Sequence, residues 1–104
     1  MARRWVITIK DLPDGTVAFR PDVPGAQPGQ PLGVNTGDNV VWNNTTNKAH
    51  WPVAMLPSGL FLTKDIEPGR ASRPIFNVQN SVAYMCLHHP QERGMIVVVS
   101  DLVS

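Results

Sequence analysis

The sequence predicts an all-β fold: a Greek-key β-sandwich of seven to eight short strands, in one domain spanning residues 1–104. Three observations predict it. Ten prolines and eight glycines cut the chain into pieces too short for helices of ordinary length. The pieces between them are rich in Val, Ile, Thr and aromatics, which suit a pleated, half-buried surface. Turn signals recur at roughly 8 to 12 residue spacing, as in sandwiches, where sequence-distant segments meet at one end.

Each element follows from its own pattern. In "RWVITIK" (Arg4 to Lys10), Trp5, Ile7 and Ile9 alternate with Val6, Thr8 and Lys10, the period of a strand with one buried face. "DLPDGT" turns the chain at Asp14-Gly15, and "VAF" makes a second strand. From Arg20 to Val34 four prolines rule out an interior strand, so this stretch is expected to be a long surface connection that shelters a sheet edge. "TGDNVVWNN" (Thr36 to Asn44) is a Gly-Asp turn leading into Val40, Val41 and Trp42, with Asn-rich sequence closing the strand. "HWPVAML" and "LFLT" are apolar pieces around a Pro57-Ser58-Gly59 turn, with a small helical turn near Met55 to Leu62 as the alternative. A Pro68-Gly69 turn precedes a strand around Ile75 to Val78, and "SVAYMC" and "GMIVVVS" supply the last two strands.

Composition narrows the function classes. At 104 residues the chain supports one core burying roughly 60 to 70% of its unfolded surface. A hydrophobic content of 42% against 16% charged residues excludes a disordered chain. The longest apolar run falls far short of the roughly 20 residues a membrane span needs. A net charge of +1, with no basic cluster beyond Arg3 and Arg4, gives no footprint for nucleic acid or an anionic membrane. The start "MARRWVITIK" has no apolar h-region and reads equally as a mature form, so it leaves the compartment open. A single cysteine closes no internal disulfide: its thiol is either inert and buried or held for chemistry.

The chemistry concentrates in "YMCLHHPQERGMIVVV" (Tyr84 to Val99). Cys86 and His89 are two residues apart, and a sharp turn supported by Pro90 brings thiol and imidazole together. C-x-x-H alone is a weak signal, because a small buried thiol near a surface histidine is the commoner situation. His50 strengthens it, since it follows a strand and an Asn-rich loop that face the same end of a sandwich. One thiolate and two imidazoles suit copper in both oxidation states: sulfur stabilises Cu(I), and imidazole tolerates Cu(II). His88 competes with His89 but lacks the following proline. Met55 and Met85 read as packing residues, and Asp11, Asp14, Asp22 and Asp38 as turn residues. No Ser/His/Asp order, paired carboxylates or phosphate loop rises above chance.

From Thr36 to Ser100 the chain resembles the cupredoxins, particularly the small plastocyanin and amicyanin-like members. The resemblance rests on "GDNVVWNN" followed by His50, on the "IEPG" turn, and on "YMCLHHPxxxGxIxV", which is similar to the family's Y-x-C-x-x-H-P-x-M-x-G-x-I-x-V ending. It implies one copper ion per chain held by His50, Cys86 and His89. It also implies single-electron transfer with redox protein partners in weak, transient contact, and a periplasmic or otherwise exported setting. Catalysis is not part of that expectation. The exit port for electrons would be the His89 edge, ringed by Leu87, Pro52 and Pro90.

Two departures stand out. The family's axial methionine position is occupied by Glu92, two residues before Gly94. Met95 is the nearest methionine, but strand alternation turns it away from the face shared by Gly94, Ile96 and Val98 unless a bulge at Arg93-Gly94 rotates it. Glu92 and Met95 stand as near-equal candidates beside an open fourth position. A carboxylate would favour Cu(II) and shift the colour from blue towards green or red, and an open position would allow small-molecule binding or catalysis, as a resemblance to nitrosocyanin, with its glutamate ligand, suggests. The second departure is Trp51 after His50, where cupredoxins commonly carry a small polar residue; its backbone donor survives, whereas Pro52 has none. The indole there either walls the metal site or packs as a core residue. A copper carrier or storage protein, and a zinc or metal-free recognition domain, are the rival readings.

Overall fold

The structure, a computed structural model, describes residues 3–54, 64–75 and 78–99. Among them are seven strands and no helix: β1 (Arg4–Asp11), β2 (Val17–Pro21), β3 (Leu32–Asn35), β4 (Asn39–Asn44), β5 (Pro52–Ala54), β6 (Val82–Cys86) and β7 (Arg93–Val99). They form two sheets, ordered β2-β1-β4 and β3-β7-β6-β5. β1 pairs antiparallel with β2 and parallel with β4, and β7 pairs antiparallel with β6 and parallel with β3. Parallel neighbours distant in sequence are the mark of chain crossing between sheets, which brings the ends of β4 and β6 to one pole.

The alternation read in β1 buries Ile7 and Ile9, which meet Phe19, Val40 and Trp42 of the same sheet. Leu32, Val34, Tyr84 and Ile96 of the other sheet close on them. Tyr84 stands edge-on to Phe19 at 4.9 Å and to Trp42 at 5.3 Å, the geometry preferred by ring quadrupoles. Burial raises the Tyr84 phenol pKa far above its ordinary value. Asp38 fastens the start of β1: it accepts hydrogen bonds from Arg3 N–H at 3.0 Å, Trp5 Nε1–H at 2.8 Å and Asn35 N–H at 3.0 Å.

Three expectations need correction or restriction. The stretch from Arg20 to Val34 is not loop throughout, because β2 runs on to Pro21 and β3 begins at Leu32. Both are edge strands, where a missing proline donor costs no ladder bond. Of the strand expected around Ile75 to Val78, Ile75 forms an isolated bridge with Val40, and residues 76–77 lie outside the described residues; Asn43 and Ala71 make another bridge, so residues 71–75 run along the open side of β4. The "LFLT" piece, the alternative helical turn and Met55 lie outside the described residues.

Candidate metal centre

The loop between β6 and β7 curls by repeated three-residue steps. His89 N–H donates to Cys86 C=O at 3.2 Å, and Glu92 N–H to His89 C=O at 2.8 Å. Cys86 N–H closes the loop onto Glu92 C=O at 2.9 Å. Pro90 occupies the second position of the second turn, where its fixed φ is favoured. Turns of this pitch bring every third residue to one side. Cys86, His89 and Glu92 therefore project together, while Leu87, His88 and Gln91 face solvent.

His50 arrives from the other sheet's loop. An isolated bridge clamps it, with Ile66 N–H donating to His50 C=O at 2.8 Å and His50 N–H to Ile66 C=O at 3.2 Å. β5 then pairs Pro52 with Cys86, which sets the two loops side by side. Trp51 N–H points at Cys86 Sγ from 3.4 Å, so the backbone donor expected there is present.

Four donor atoms converge within 4.8 Å of one another: one from each of His50, Cys86, His89 and Glu92. Cys86 Sγ lies 3.7 Å from Nδ1 of both His50 and His89. Glu92 Oε1 lies 2.9 Å from His50 Nδ1 and 3.5 Å from His89 Nδ1. Although close, the carboxylate oxygen is not aligned for a hydrogen bond and is buried without one. A buried acceptor without a donor is costly unless something else satisfies it. Burial lowers the pKa of His50, which favours the neutral ring, with the neighbouring Glu92 opposing the shift. A thiol sulfur, two imidazole nitrogens and a carboxylate oxygen aimed at one point could hold a metal ion.

The rest of the "YMCLHHPQERGMIVVV" stretch divides clearly. Met95 is 40% exposed opposite Ala83 on β7, on the face away from Gly94 and Ile96, with no bulge turning it inward. His88 is exposed and bonds through Nε2 to Asp65 Oδ1 at 2.6 Å. Trp51 is half-buried and stands edge-on to His88 at 6.2 Å, so the indole covers the loop rather than the core. The expected ring around His89 is corrected at one member: Leu87 and Pro90 are exposed, but Pro52 is buried in β5.

Sequence reasoning missed Asn44, which it took only as part of an Asn-rich strand end, and Thr46, to which it gave no role. Thr46 Oγ1 lies 3.0 Å from His50 Nε2, and Asn44 Oδ1 accepts from both Thr46 N–H and its hydroxyl. Asn44 ends β4, and Thr46 and His50 follow it at even spacing, a faint signal that they share one side. A polar cavity of about 420 Å³ opens against His50, His89 and Glu92, walled by the Gly15–Val17 turn, Lys48 and Gln91.

This fold has known counterparts. Amicyanin from Paracoccus versutus superposes with a TM-score of 0.64 at 21% identity, covering 90% of this chain and 79% of that one. The chain has the cupredoxin fold. A Cu(I) form of amicyanin carrying a methionine-to-alanine substitution matches the cupredoxin sandwich here with a TM-score of 0.62 at 22% identity, over 90% of this chain and 80% of that one. An oxidised proline-to-alanine variant of amicyanin matches at 27% identity over 67% of this chain and 70% of that one, with a TM-score of 0.56. No model of a protein family matches this sequence, and neither does any curated protein.

Proposed function

We propose that this chain is a mononuclear copper protein that passes single electrons between protein partners, with His50, Cys86, His89 and Glu92 as ligands. The observation that carries the reading is the convergence of four donor atoms within 4.8 Å at one end of a cupredoxin-fold sandwich. Copper held by a thiolate and two imidazoles supplies reversible one-electron chemistry. The chain's own residues provide the setting. Buried His50 and Cys86 anchor the site in the core, and Trp51 N–H faces the sulfur. His89, with its side chain 30% exposed between exposed Leu87 and Pro90, offers the edge at which a partner would dock. Such a patch suits the small, weak interfaces of transient redox encounters. No helix of the described residues is long and apolar enough to cross a membrane. An exported or periplasmic setting, as the cupredoxin resemblance implies, is part of the same proposal.

Adding one equivalent of Cu(II) tests it. The expected result is a stable thiolate-to-copper charge-transfer band in the visible that is absent in Cys86→Ser; a colourless parent protein overturns the reading. Reversible voltammetry without copper loss to a chelator then distinguishes an electron carrier from a copper carrier.

The cavity favours a second reading, a centre open to a small exogenous donor. It reaches His50, His89 and Glu92 but not Cys86. A saturable change in the Cu(II) spectrum on azide titration, with the thiolate band retained, supports it; an unchanged spectrum excludes it.

A further inference from the structure

His50 in its neutral form carries one ring proton, and an oxygen lies near each ring nitrogen: Thr46 Oγ1 at 3.0 Å from Nε2, and Glu92 Oε1, unaligned for a hydrogen bond, at 2.9 Å from Nδ1. Only a ring protonated at Nε2 leaves the Nδ1 lone pair facing the point that it shares with Cys86, His89 and Glu92. The network behind Thr46 decides between them. Asn44 Nδ2 donates to two backbone carbonyls, Lys48 C=O at 2.7 Å and Ile66 C=O at 2.8 Å. Carbonyls only accept, so the amide cannot be flipped, and Oδ1 must be the atom facing Thr46. Oδ1 takes the Thr46 N–H at 2.9 Å and the hydroxyl proton at 2.7 Å. Lys48 C=O at 3.0 Å, the other oxygen acceptor of that proton among the described residues, is equally unable to donate back. Having spent its single proton, the hydroxyl oxygen receives Lys48 N–H at 3.3 Å and needs Nε2–H from His50. The opposite tautomer would set two lone pairs against each other at 3.0 Å, or leave the 2.7 Å contact between Asn44 and Thr46 without a proton. The Nε2–H tautomer also sets the Nδ1 lone pair 2.9 Å from Glu92 Oε1, but no hydrogen bond is aligned there for an Nδ1–H to make, so the Thr46 side decides.

We propose that Asn44 and Thr46 form a directional hydrogen-bond relay that locks His50 as the Nε2–H tautomer, making Thr46 a positioning residue for whatever Nδ1 binds. The relay starts at two backbone carbonyls, one of them Ile66, whose bridge also clamps the His50 backbone. Ring orientation and proton position are thus set by one element. The affinity consequence rests on the copper reading above, whereas the tautomer does not.

The test has two arms. Long-range nitrogen–proton NMR of the histidine rings in the metal-free protein, at mildly alkaline pH, should show His50 protonated at Nε2. Thr46→Val, close in shape but without the hydroxyl, should lose that pattern for a mixture or for Nδ1–H, and Thr46→Ser should restore it. A parent protein protonated at Nδ1, or Thr46→Val keeping a pure Nε2–H pattern, overturns the relay; the parent measurement holds even if the valine variant fails to fold. In the second arm, Cu(I) affinity by chelator competition should fall about tenfold to a hundredfold in Thr46→Val and stay within about threefold in Thr46→Ser. Unchanged affinity in Thr46→Val overturns the positioning role. A parent with the Nε2–H pattern that binds no copper sinks the copper reading and leaves the relay standing.

Discussion

Glu92 Oε1 stands 2.9 Å from His50 Nδ1 with no hydrogen bond aligned between them. Two electron-rich atoms held this close, one on a neutral ring and one on a buried carboxyl, face a common point rather than each other. An axial carboxylate follows as an expectation. Glu92→Gln should move the charge-transfer spectrum and the paramagnetic resonance signal of the copper-loaded protein, and Met95→Leu, altering a side chain 40% exposed on the outer face, should move neither. The reverse pattern would place the methionine on the metal.

The two histidines differ in depth, and metal-free stability should report it. His50 is buried and tied through Thr46, whereas the His89 side chain is 30% exposed. His50→Ala should lower the free energy of unfolding by roughly 2 to 4 kcal/mol, through a lost hydrogen bond and a cavity, and His89→Ala by less than about 1 kcal/mol. Urea unfolding of the two variants without metal checks the order. Both should abolish the visible band on copper addition.

Gly94 is set by what lies above it. It is the register partner of Tyr84, and a methyl group at position 94 would overlap the Tyr84 ring. That ring is packed edge-on against Phe19 and Trp42 and cannot yield. Gly94→Ala should cost roughly 1 to 3 kcal/mol by overpacking. Gly33→Ala is the control, because its nearest neighbour would be Val99 Cγ2 at 4.0 Å; chemical denaturation should show it near neutral.

Asp38 links stability to acid. The hydrogen bond from Trp5, then those of the Arg3 and Asn35 backbones, hold its carboxyl below the usual carboxylate range. The unfolded chain therefore takes up this proton at a higher pH than the folded one. The contribution is complete above the ordinary carboxylate pKa and is lost as pH falls through the lowered value. Asp38→Asn should lower stability at neutral pH by roughly 1 to 3 kcal/mol and flatten the decline on the acid side, measured by denaturant unfolding across that range.

Much of the architecture was legible because strand and turn signals are local. Alternation marked Ile7 and Ile9, proline marked the edges, and the bounds of β4, β6 and β7 fall close to where the patterns put them. The exceptions have a non-local cause: β3 is a strand because β7 lies beside it, and no period within four residues could announce that. Pro52 looked like a surface residue from its neighbours, and its pairing with Cys86 buries it.

The site divides along the same line. Cys86, His89 and Glu92 are three residues apart, and the chain between them closes its own turns, so their shared direction is written in the sequence. That Glu92 is buried beside the histidines while Met95 faces outward was not, since it depends on which face of β7 the other sheet covers. Nor was the role of Asn44 and Thr46, two polar residues in an Asn-rich loop. Composition and spacing determined that a thiol and imidazoles lie near one pole of a sandwich. Only the tertiary structure decided which way the His50 ring points and which nitrogen it presents. The amide that settles both is oriented by carbonyls 4 and 22 residues away in sequence, brought together by sheet packing.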